Sequence, residues 1–275
     1  PVVFDIAENR ERLDLIMADA ETVIWELGDI TDFERLTKVA ETHNIEAIIH
    51  LAALQVPFCK ADPVGSTRIN VMGSIHMLEL ARQRGITRMS YASSVAAPAM
   101  GDNDWLVTLY GAHKICGEQM AAVYWQDWGV PSIGIRPAII YGPGRDQGMS
   151  AAPTVALMAA EVNEAYTIPF TGDVAFVYVG DAAERFIAAA SRSFEGAHVF
   201  DLNGTPATVT EMLVLLHNHY PDAAIVATGD PMPFPAEANS GALEQLIGLP
   251  DCRPLTAGIA DTVAGFQAAK ARGVD

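Results

Sequence analysis

Residues 47–53 of the chain read AIIHLAA, a short run that is apolar on both faces of any strand it forms. Strands of this kind are typical of parallel sheets, which helices cover on both sides. Comparable runs recur along the first two hundred residues: VVFD (2–5), ETVIWELGD (21–29), RMSYASS (88–94), PSIGIRPAIIYG (131–142) and HVFDLNG (198–204). The sequence therefore predicts a sheet of mostly parallel strands.

Stretches with helical spacing lie between these runs, and their starts are marked. Asp62 stands before Pro63, which suits a helix cap followed by proline in the first turn. Three further pairs have the spacing of a capping box: Thr31 with Glu34, Asp181 with Glu184, and Thr208 with Glu211. Because strands and helices alternate, the sequence predicts a doubly wound α/β fold with right-handed crossovers.

The pattern changes after about Tyr141. Segments with several glycines and prolines, GPGRDQGMSAAP (142–153) and GDPMPFPAE (229–237), separate shorter helices there. Such segments interrupt the periodic patterns of helices and strands. We therefore expect a second, smaller lobe in this part of the chain.

The composition argues against several kinds of partner. The chain has 275 residues, half of them apolar, and its 17 basic and 34 acidic residues give a formal net charge of -17. Such a charge repels nucleic acid and anionic membrane surfaces. Cys59, Cys116 and Cys252 have no CxxC or histidine spacing, so no metal site is predicted and a reducing, cytoplasmic setting is favoured.

The sharpest chemical signal is YGAHK (110–114), which follows SYASSV (90–95). Side chains four residues apart on a helix lie one turn above each other, so Lys114 can approach the phenol of Tyr110. A free tyrosine has a pKa of about 10, and a nearby cation favours the phenolate. The pair can therefore exchange a proton with an alcohol. Ser94, at the end of the preceding strand, can donate a hydrogen bond to the same alcohol oxygen.

Further stretches surround this motif in a characteristic order: GDITD (28–32), IIHLAAL (48–54), INVMGS (69–74), YASSVA (91–96), IRPAIIYGPGR (135–145) and FVYVGDAAERF (176–186). Together they make the chain resemble the extended short-chain dehydrogenase/reductase family, in its NAD-dependent epimerase/dehydratase group. The resemblance covers nearly the whole chain. It implies a Rossmann-like dinucleotide-binding domain over residues 1–142 and about 174–204, and a substrate lobe over about 143–173 and 205–275.

The resemblance also implies catalytic roles. Tyr110 would be the acid or base, Lys114 its pKa-lowering partner and a ligand of the nicotinamide ribose, and Ser94 the donor to the substrate oxygen, with Ser93 as the alternative hydroxyl. The implied reaction is hydride transfer between NAD and a secondary alcohol of a sugar, polyol or sugar acid. The alternatives are a nucleotide-sugar epimerase or dehydratase and, from another class, a non-catalytic protein that senses a dinucleotide.

Cofactor contacts are implied at the ends of the strands. Asp29 and Ile30 match the pair that meets adenine, with a helix-capping acid and a core aliphatic as the alternative. The stretch that would lie along the dinucleotide is Leu51, Ala52 and Ala53, with strand-end packing as the alternative. Further expected contacts or braces of the cofactor site are Gln55, Asn70 and Pro137.

Asp5 matches the acid that accepts hydrogen bonds from the adenosine ribose hydroxyls. A carboxylate there repels a 2′-phosphate, which favours NAD over NADP, although Arg10 and Arg12 keep NADP as an alternative. A glycine-rich phosphate loop should lie about 20 residues before such an acid, yet four residues precede Asp5 in this sequence. We therefore expect that one βα unit of about 25 to 30 residues is missing from the sequence as given.

The substrate lobe departs from the pattern of nucleotide-sugar enzymes. Those members of the family usually place an asparagine and an arginine against the diphosphate, and the matching positions here are Ile139 and Val174. Neutral side chains do not replace charge-assisted bonds to a diphosphate, so a smaller, unactivated substrate is favoured. Arg145 is a candidate for binding a substrate carboxylate or for a surface ion pair. Trp105 is a candidate for lining the pocket or for core packing.

Two helices are apolar enough to be shared with a second subunit, the one after Asn70 and the one that holds Tyr110. Tyr124, Trp125 and Trp128 cluster late in the second of these helices. Because the family commonly pairs through this helix pair, we expect a homodimer. The alternative is that these aromatic side chains pack inside one subunit.

Overall fold

The computed structural model describes residues 1–98, 108–232, 234, 236–237 and 241–274. Its strands are β1 (Val2–Asp5), β2 (Ile24–Leu27), β3 (Ile48–His50), β4 (Met89–Ala92), β5 (Ser132–Pro137), β6 (Ile139–Tyr141), β7 (Tyr166–Ile168), β8 (Asp173–Tyr178), β9 (Ala197–Leu202), β10 (Thr205–Thr208) and β11 (Ile225–Ala227). Its helices are α1 (Glu11–Ile16), α2 (Phe33–Thr42), α3 (Val56–Ala61), α4 (Pro63–Thr67), α5 (Gly73–Arg84), α6 (Leu109–Trp128), α7 (Ala152–Glu161), α8 (Val179–Ala189), α9 (Val209–His219), α10 (Ala242–Ile247) and α11 (Leu255–Ala271).

The first of two compact units comprises residues 1–8, 21–137 and 184–201. Strands β1 and β2 pair in parallel, and β3, β4, β5 and β9 form a four-stranded sheet in that order. The β3–β4 and β4–β5 pairings are parallel. The predicted α/β fold with parallel strands is therefore confirmed.

Helices α2, α5 and α6 pack around a common core in this unit. Its buried members include Leu36, Ile48, Leu78, Met89 and Tyr124. Helix α5 is followed by Gly85 at its C-cap, whose φ of 66° is left-handed. The apolar faces of these helices therefore pack against the apolar side chains of β3 and β4.

The second unit comprises residues 9–20, 138–183 and 202–275. Its three-stranded sheet has the order β6, β8, β10, with β6 and β8 parallel and β8 and β10 antiparallel. Strands β7 and β11 form a parallel pair. Its core includes Tyr141, Leu157, Phe176, Leu216 and Ile259. The domain limits expected from the sequence stay a prediction, and the segment 9–20 groups here with the later part of the chain.

The run 131–142 forms two strands where the sequence suggests one. Strand β5 belongs to the sheet of the first unit, and β6 belongs to the sheet of the second. Ala138 lies between them and donates its N–H to the Leu202 carbonyl at 2.9 Å. Because both halves of the run are apolar, the pattern of the sequence carries no sign of this change of partner strands.

Two of the predicted helix starts are confirmed. Thr208 and Glu211 form a reciprocal capping box at the start of α9. Asp62 caps α4 by accepting a hydrogen bond from the Gly65 N–H at 2.9 Å. Each cap satisfies backbone donors that a first helical turn leaves unpaired.

Two other starts differ from the prediction. Helix α2 is capped by Asp32, whose carboxylate accepts the Arg35 N–H at 2.9 Å, and Thr31 instead bonds Asp29. Helix α8 begins at Val179, so Asp181 lies inside its first turn. There the carboxylate accepts the N–H and Nε of Arg253, both at 2.8 Å. A tertiary partner has replaced the local cap.

None of the helices within the described ranges is both long and apolar enough to cross a bilayer.

Candidate active site

The predicted cofactor residues stand where parallel strands of the first unit end. Asp5 ends β1, Asp29 follows β2, Leu51 follows β3 and Pro137 ends β5. Parallel strands point their carboxyl ends to the same edge of a sheet, and ligands of open α/β sheets bind at that edge. Asp5 and Asp29 lie at the strand ends of the two-stranded sheet, and Leu51 and Pro137 at the strand ends of the four-stranded sheet.

Helix α6 places Lys114 beside Tyr110. The Thr108 hydroxyl caps the helix by accepting the Gly111 N–H at 3.0 Å, which fixes the turn that carries Tyr110. Nζ of Lys114 lies 5.5 Å from the centroid of the Tyr110 ring. An ammonium this near an aromatic face is attracted to the ring and favours a negative charge on its oxygen.

The Lys114 side chain is hydrogen-bonded to β4, and its pKa is shifted by burial and by nearby charges. Nζ donates a hydrogen bond to the Ala92 carbonyl, the last of β4, at 2.6 Å. Burial lowers the pKa of Lys114 to about 8, while the charges of Cys59 and Glu118 act in the opposite direction. The ammonium form therefore still predominates at neutral pH.

The two serines after β4 have different surroundings. Ser93 is buried, its N–H donates to the Ile135 carbonyl at 2.7 Å, and its hydroxyl donates to the Glu118 carboxylate. The Ser94 side chain is half-buried, and its hydroxyl oxygen accepts the Ala96 N–H at 3.1 Å. The Ser94 hydroxyl is the acceptor in this bond, so its proton can still be donated to another group. The two serines that the sequence offers as donor to the substrate oxygen thus differ in the hydrogen bonds that they make.

The loop after β3 is braced by Asn70. This buried amide accepts the Leu54 N–H at 2.7 Å and donates to the Leu54 carbonyl at 2.9 Å. It lies in a π-helical turn, Arg68–Met72, a form that is frequent at functional sites. Its amide nitrogen also lies 3.3 Å from Nδ1 of His113, the residue before Lys114. Asn70 therefore connects the expected cofactor loop to the helix of Tyr110.

Sequence reasoning missed two buried histidines beside Lys114. His50 ends β3 and its Nε2 lies 3.1 Å from the Ser74 hydroxyl. Burial, and then the charge on Lys114, lowers the pKa of His50 to about 3, so the ring is neutral. The same two causes lower the pKa of His113, whose Nε2 lies 3.0 Å from the Thr67 hydroxyl. His113 adjoins Lys114 within the motif, which is the signal that could have identified it.

The residues of the first unit fit a dinucleotide. Asp5 is exposed and makes a 3.4 Å contact with the Ala7 N–H, which leaves carboxylate lone pairs for ribose hydroxyls. Ala52 and Ala53 have small side chains that allow close approach of a ligand to the backbone. With the phenol and ammonium of Tyr110 and Lys114, this donor set suits both the adenosine and the nicotinamide ends.

The remaining cofactor residues have structural contacts of their own. One Asp29 carboxylate oxygen accepts the N–H and hydroxyl of Thr31, each at 2.8 Å. Ile30 packs against Gly73, where a Cβ would lie 2.8 Å from Ile30 Cγ2. Gln55 stands at the N-cap position of α3. These contacts fix the backbone at the strand ends and are compatible with either role considered for the side chains.

The predicted substrate residue Arg145 belongs to the second unit, as do Ile139 and Val174, the two positions that depart from the nucleotide-sugar pattern. Arg145 donates to the Gln147 carbonyl and, at 3.0 Å, to the Ser150 hydroxyl. Ile139 and Val174 are core residues of this unit, 2% and 0% exposed. Side chains buried in a core do not contact a ligand. Trp105 lies outside the described residues.

The arginines that kept NADP as an alternative are engaged in the second unit as well. Arg12 forms an ion pair with Asp146, with Nη2 and Oδ1 2.6 Å apart. Arg10 donates to the Ala20 carbonyl.

No group of three His, Cys, Asp or Glu side chains in the described part of the chain could hold a metal ion.

Comparison with known families gives one broad match. The model of a family described as the NAD dependent epimerase/dehydratase family matches residues 6–203. UDP-glucose 4-epimerase of Mycolicibacterium smegmatis is 27% identical over 197 residues, which are 66% of this chain and 59% of that protein. UDP-glucuronate 4-epimerase of Thermodesulfobacterium geofontis is 26% identical over 209 residues, or 68% and 61% of the two chains. The chain thus spans about three fifths of these two epimerases.

Solved structures agree on the fold. L-threonine dehydrogenase from Clostridium difficile has a TM-score of 0.82 at 20% identity, over 100% of this chain and 90% of that one. UDP-glucose 4-epimerase from Thermotoga maritima has a TM-score of 0.77 at 20% identity, over 98% and 91% of the two chains. These likenesses confirm the predicted Rossmann-like α/β fold.

Proposed function

This chain belongs to the NAD dependent epimerase/dehydratase family, and on that premise we propose that it is an NAD-dependent oxidoreductase or epimerase acting on a secondary alcohol. One observation carries the proposal. Nζ of Lys114 lies 5.5 Å from the centre of the Tyr110 ring while it is hydrogen-bonded to the end of β4, next to two serines. This arrangement supports the roles proposed for Tyr110 as acid/base, Lys114 as cation and the serines as hydroxyl donors.

Bound NAD would accept a hydride from the carbon that carries the hydroxyl. Tyr110 takes the hydroxyl proton as the alcohol is oxidised and returns it in the reverse direction. The Lys114 ammonium stabilises the phenolate that does this work. The Ser94 hydroxyl donates to the alcohol oxygen, because the neighbouring Ser93 hydroxyl is already donated to Glu118.

The cofactor is expected along the strand ends of the first unit. Asp5 would accept hydrogen bonds from the adenosine ribose, and Asp29 and Ile30 would meet adenine. The other proposed contacts are Leu51, Ala52, Ala53, Gln55 and Pro137, together with Tyr110 and Lys114 at the nicotinamide ribose.

The proposed substrate is a sugar, polyol or sugar acid without a nucleoside diphosphate. Its support is the aliphatic character and full burial of Ile139 and Val174, which leave no charge-assisted contact to a diphosphate at those positions. Arg145 is the proposed contact of a substrate carboxylate. Similarity in fold to L-threonine dehydrogenase, an enzyme named for a small alcohol, is consistent with this choice.

A nucleotide-sugar epimerase is the second candidate. It is favoured by relatives named UDP-glucose 4-epimerase and UDP-glucuronate 4-epimerase. A non-catalytic sensor of the dinucleotide is the candidate from another class. A sensor needs neither the phenol nor the ammonium, and the retention of both Tyr110 and Lys114 in contact favours an enzyme.

We also propose a cytoplasmic homodimer that pairs through α5 and α6. Trp128 and Val123 near the end of α6, and Met72 just before α5, are exposed apolar side chains. Tyr124, by contrast, is buried and donates to Glu79 at 3.2 Å, so this aromatic residue packs inside one subunit. The three cysteines are free, in agreement with a reducing compartment. Sedimentation of wild type and Val123→Glu would test the dimer.

The function is tested by NADH formation. Wild type and Tyr110→Phe are incubated with NAD and with free sugars, sugar acids, L-threonine or UDP-sugars, and a parallel set uses a chain extended by a glycine-rich βα unit. We expect NADH with an unactivated alcohol and none with the variant. Turnover of UDP-sugars alone, without net NADH, would establish the epimerase instead. NAD binding without turnover of any substrate would support the sensor.

A further inference from the structure

Glu118 is a buried carboxylate on α6, one turn beyond Lys114, and it is 5% exposed. Arg136 of β5 binds it with both arms of the guanidinium, Nε at 2.7 Å and Nη2 at 2.6 Å. Burying a charged carboxylate is costly unless it is paired and hydrogen-bonded. Glu118 meets both conditions, and it also accepts a hydrogen bond from the Ser93 hydroxyl.

This contact joins the carboxylate to the strand end that carries Ser94. The Ala92 carbonyl accepts Lys114 Nζ, the Ser93 N–H bonds Ile135, and the Ser93 hydroxyl bonds Glu118. Residues 92 and 93 are thus tied to α6 by two side chains of that helix. Ser94 comes next in the chain, so its position relative to α6 depends on these ties.

We infer that Glu118 is a positioning residue, which fixes the Ser94 hydroxyl relative to Tyr110 through Ser93 and stabilises the Lys114 ammonium through its negative charge. The effect of Glu118 on catalysis rests on the proposed function. Glu118 acts through Ser93 and Lys114, and it touches no reacting atom in this scheme. Glu118 lies outside the YGAHK motif, four residues beyond Lys114.

The electrostatic surroundings of Lys114 support the second part. The titratable groups beside its ammonium include Tyr110, whose ring it faces, Cys59 on α3, His50 on β3, and His113 and Glu118 on α6. Burial holds His50 in its neutral form. The charges that raise the pKa of Lys114 against burial are those of Cys59 and then Glu118, so the Glu118 carboxylate offsets part of the cost of burying the lysine.

The charge is tested by titrating the lysines. The chain has four, Lys38, Lys60, Lys114 and Lys270, so carbon-13 labelling of lysine gives few NMR signals, and Lys114→Arg assigns the one of interest. We expect Glu118→Gln to lower the pKa of Lys114 by about half a unit to one unit. Ser93→Ala keeps the carboxylate and should leave that pKa unchanged.

The positioning is tested with Ser93→Ala. This variant keeps the ion pair between Glu118 and Arg136, so it can be used even if Glu118→Gln folds poorly. We expect kcat to fall about tenfold with little change in KM for NAD. Amide exchange at Val95, whose N–H bonds Pro137 at 3.4 Å, should become faster because the strand end is loosened. Glu79→Gln is the matched control, since Glu79 is paired with both arms of Arg82 away from β4.

The outcomes separate this inference from the proposed function. If wild type oxidises no alcohol, the proposed function fails, and the lysine titration and the Val95 exchange still decide whether Glu118 has these two effects. The inference is overturned if Glu118→Gln leaves the Lys114 titration unchanged, or if Ser93→Ala leaves both kcat and Val95 exchange as in Glu79→Gln.

Discussion

The side-chain amide of Asn70 pairs with both backbone polar groups of Leu54, accepting the N–H at 2.7 Å and donating to the carbonyl at 2.9 Å. Leu54 lies four residues beyond the end of β3, and the amide supplies its backbone with one acceptor and one donor, as a neighbouring strand would. Because buried backbone groups must be paired, Asn70 determines the course of the loop proposed to carry NAD.

Replacing Asn70 by alanine should therefore affect stability and cofactor binding together. Asn70→Ala removes the partner of the Leu54 N–H and one of two donors to the Leu54 carbonyl, which keeps the Cys59 thiol at 3.3 Å. We therefore expect a loss of about 1–3 kcal/mol in the free energy of unfolding. Chemical denaturation measures the first effect and calorimetry the second, as a weaker Kd for NAD. Ser74→Ala is the control, because its hydroxyl bonds the Asn70 carbonyl and not the loop. Equal Kd values for the two variants would contradict this role of Asn70.

Gly111 allows α6 to approach the turn after β4. A Cβ at this position would lie 2.2 Å from the Ala96 carbonyl oxygen, so Gly111→Ala must displace either the helix or the turn that contains Ser94. We expect a large loss of activity and destabilisation of about 1–3 kcal/mol, as for other overpacked sites. Thermal unfolding and kcat are the measurements.

Gly117 of the same helix provides a matched control. Its Cβ would have the Ser74 hydroxyl as nearest neighbour, at 3.9 Å, which is ordinary contact. Gly117→Ala should stabilise the helix by about 0.5–1 kcal/mol through intrinsic propensity. Similar melting temperatures for the two variants would show that α6 and the turn are not closely packed at Gly111.

Tyr110→Phe removes the phenolic oxygen and keeps the ring. We expect kcat to fall by about 100-fold or more, because the acid/base is lost. The Kd for NAD should rise by less than about tenfold, since one ribose contact is lost while Lys114 and the other proposed contacts remain. Steady-state kinetics and a binding isotherm are compared for the two proteins, and a kcat within threefold of wild type would remove Tyr110 from the mechanism.

Acid should destabilise the protein through His50. Burial lowers the pKa of His50 to about 3 from an ordinary 6.5, so below pH 6.5 the unfolded chain binds a proton that the folded chain does not. Stability is therefore lost as the pH falls from 6.5 towards 3, by up to about 4–5 kcal/mol for this group. His50→Gln cannot titrate and should lose less stability over that range. Urea unfolding of both proteins between pH 7 and pH 4 measures the difference, and parallel curves would refute it.

The sequence by itself determined the α/β class and the pairing of Tyr110 with Lys114. Both follow from local spacing, namely runs apolar on two faces and a four-residue separation on a helix. The spacing also marked the caps at Asp62 and Thr208. Such features depend on residues close together in the chain, so their signal survives without knowledge of the fold.

The tertiary structure alone decided which side chains surround that pair. Ser93 is engaged by Glu118, 25 residues away, and Leu54 by Asn70, 16 residues away. The two strands within 131–142 likewise separate because each has partner strands from distant stretches. Burial lowers the pKa of Lys114 to about 8 against the opposing charges of Cys59 on α3 and Glu118 on α6. No local pattern encodes such contacts, because they are selected by the packing of the whole unit.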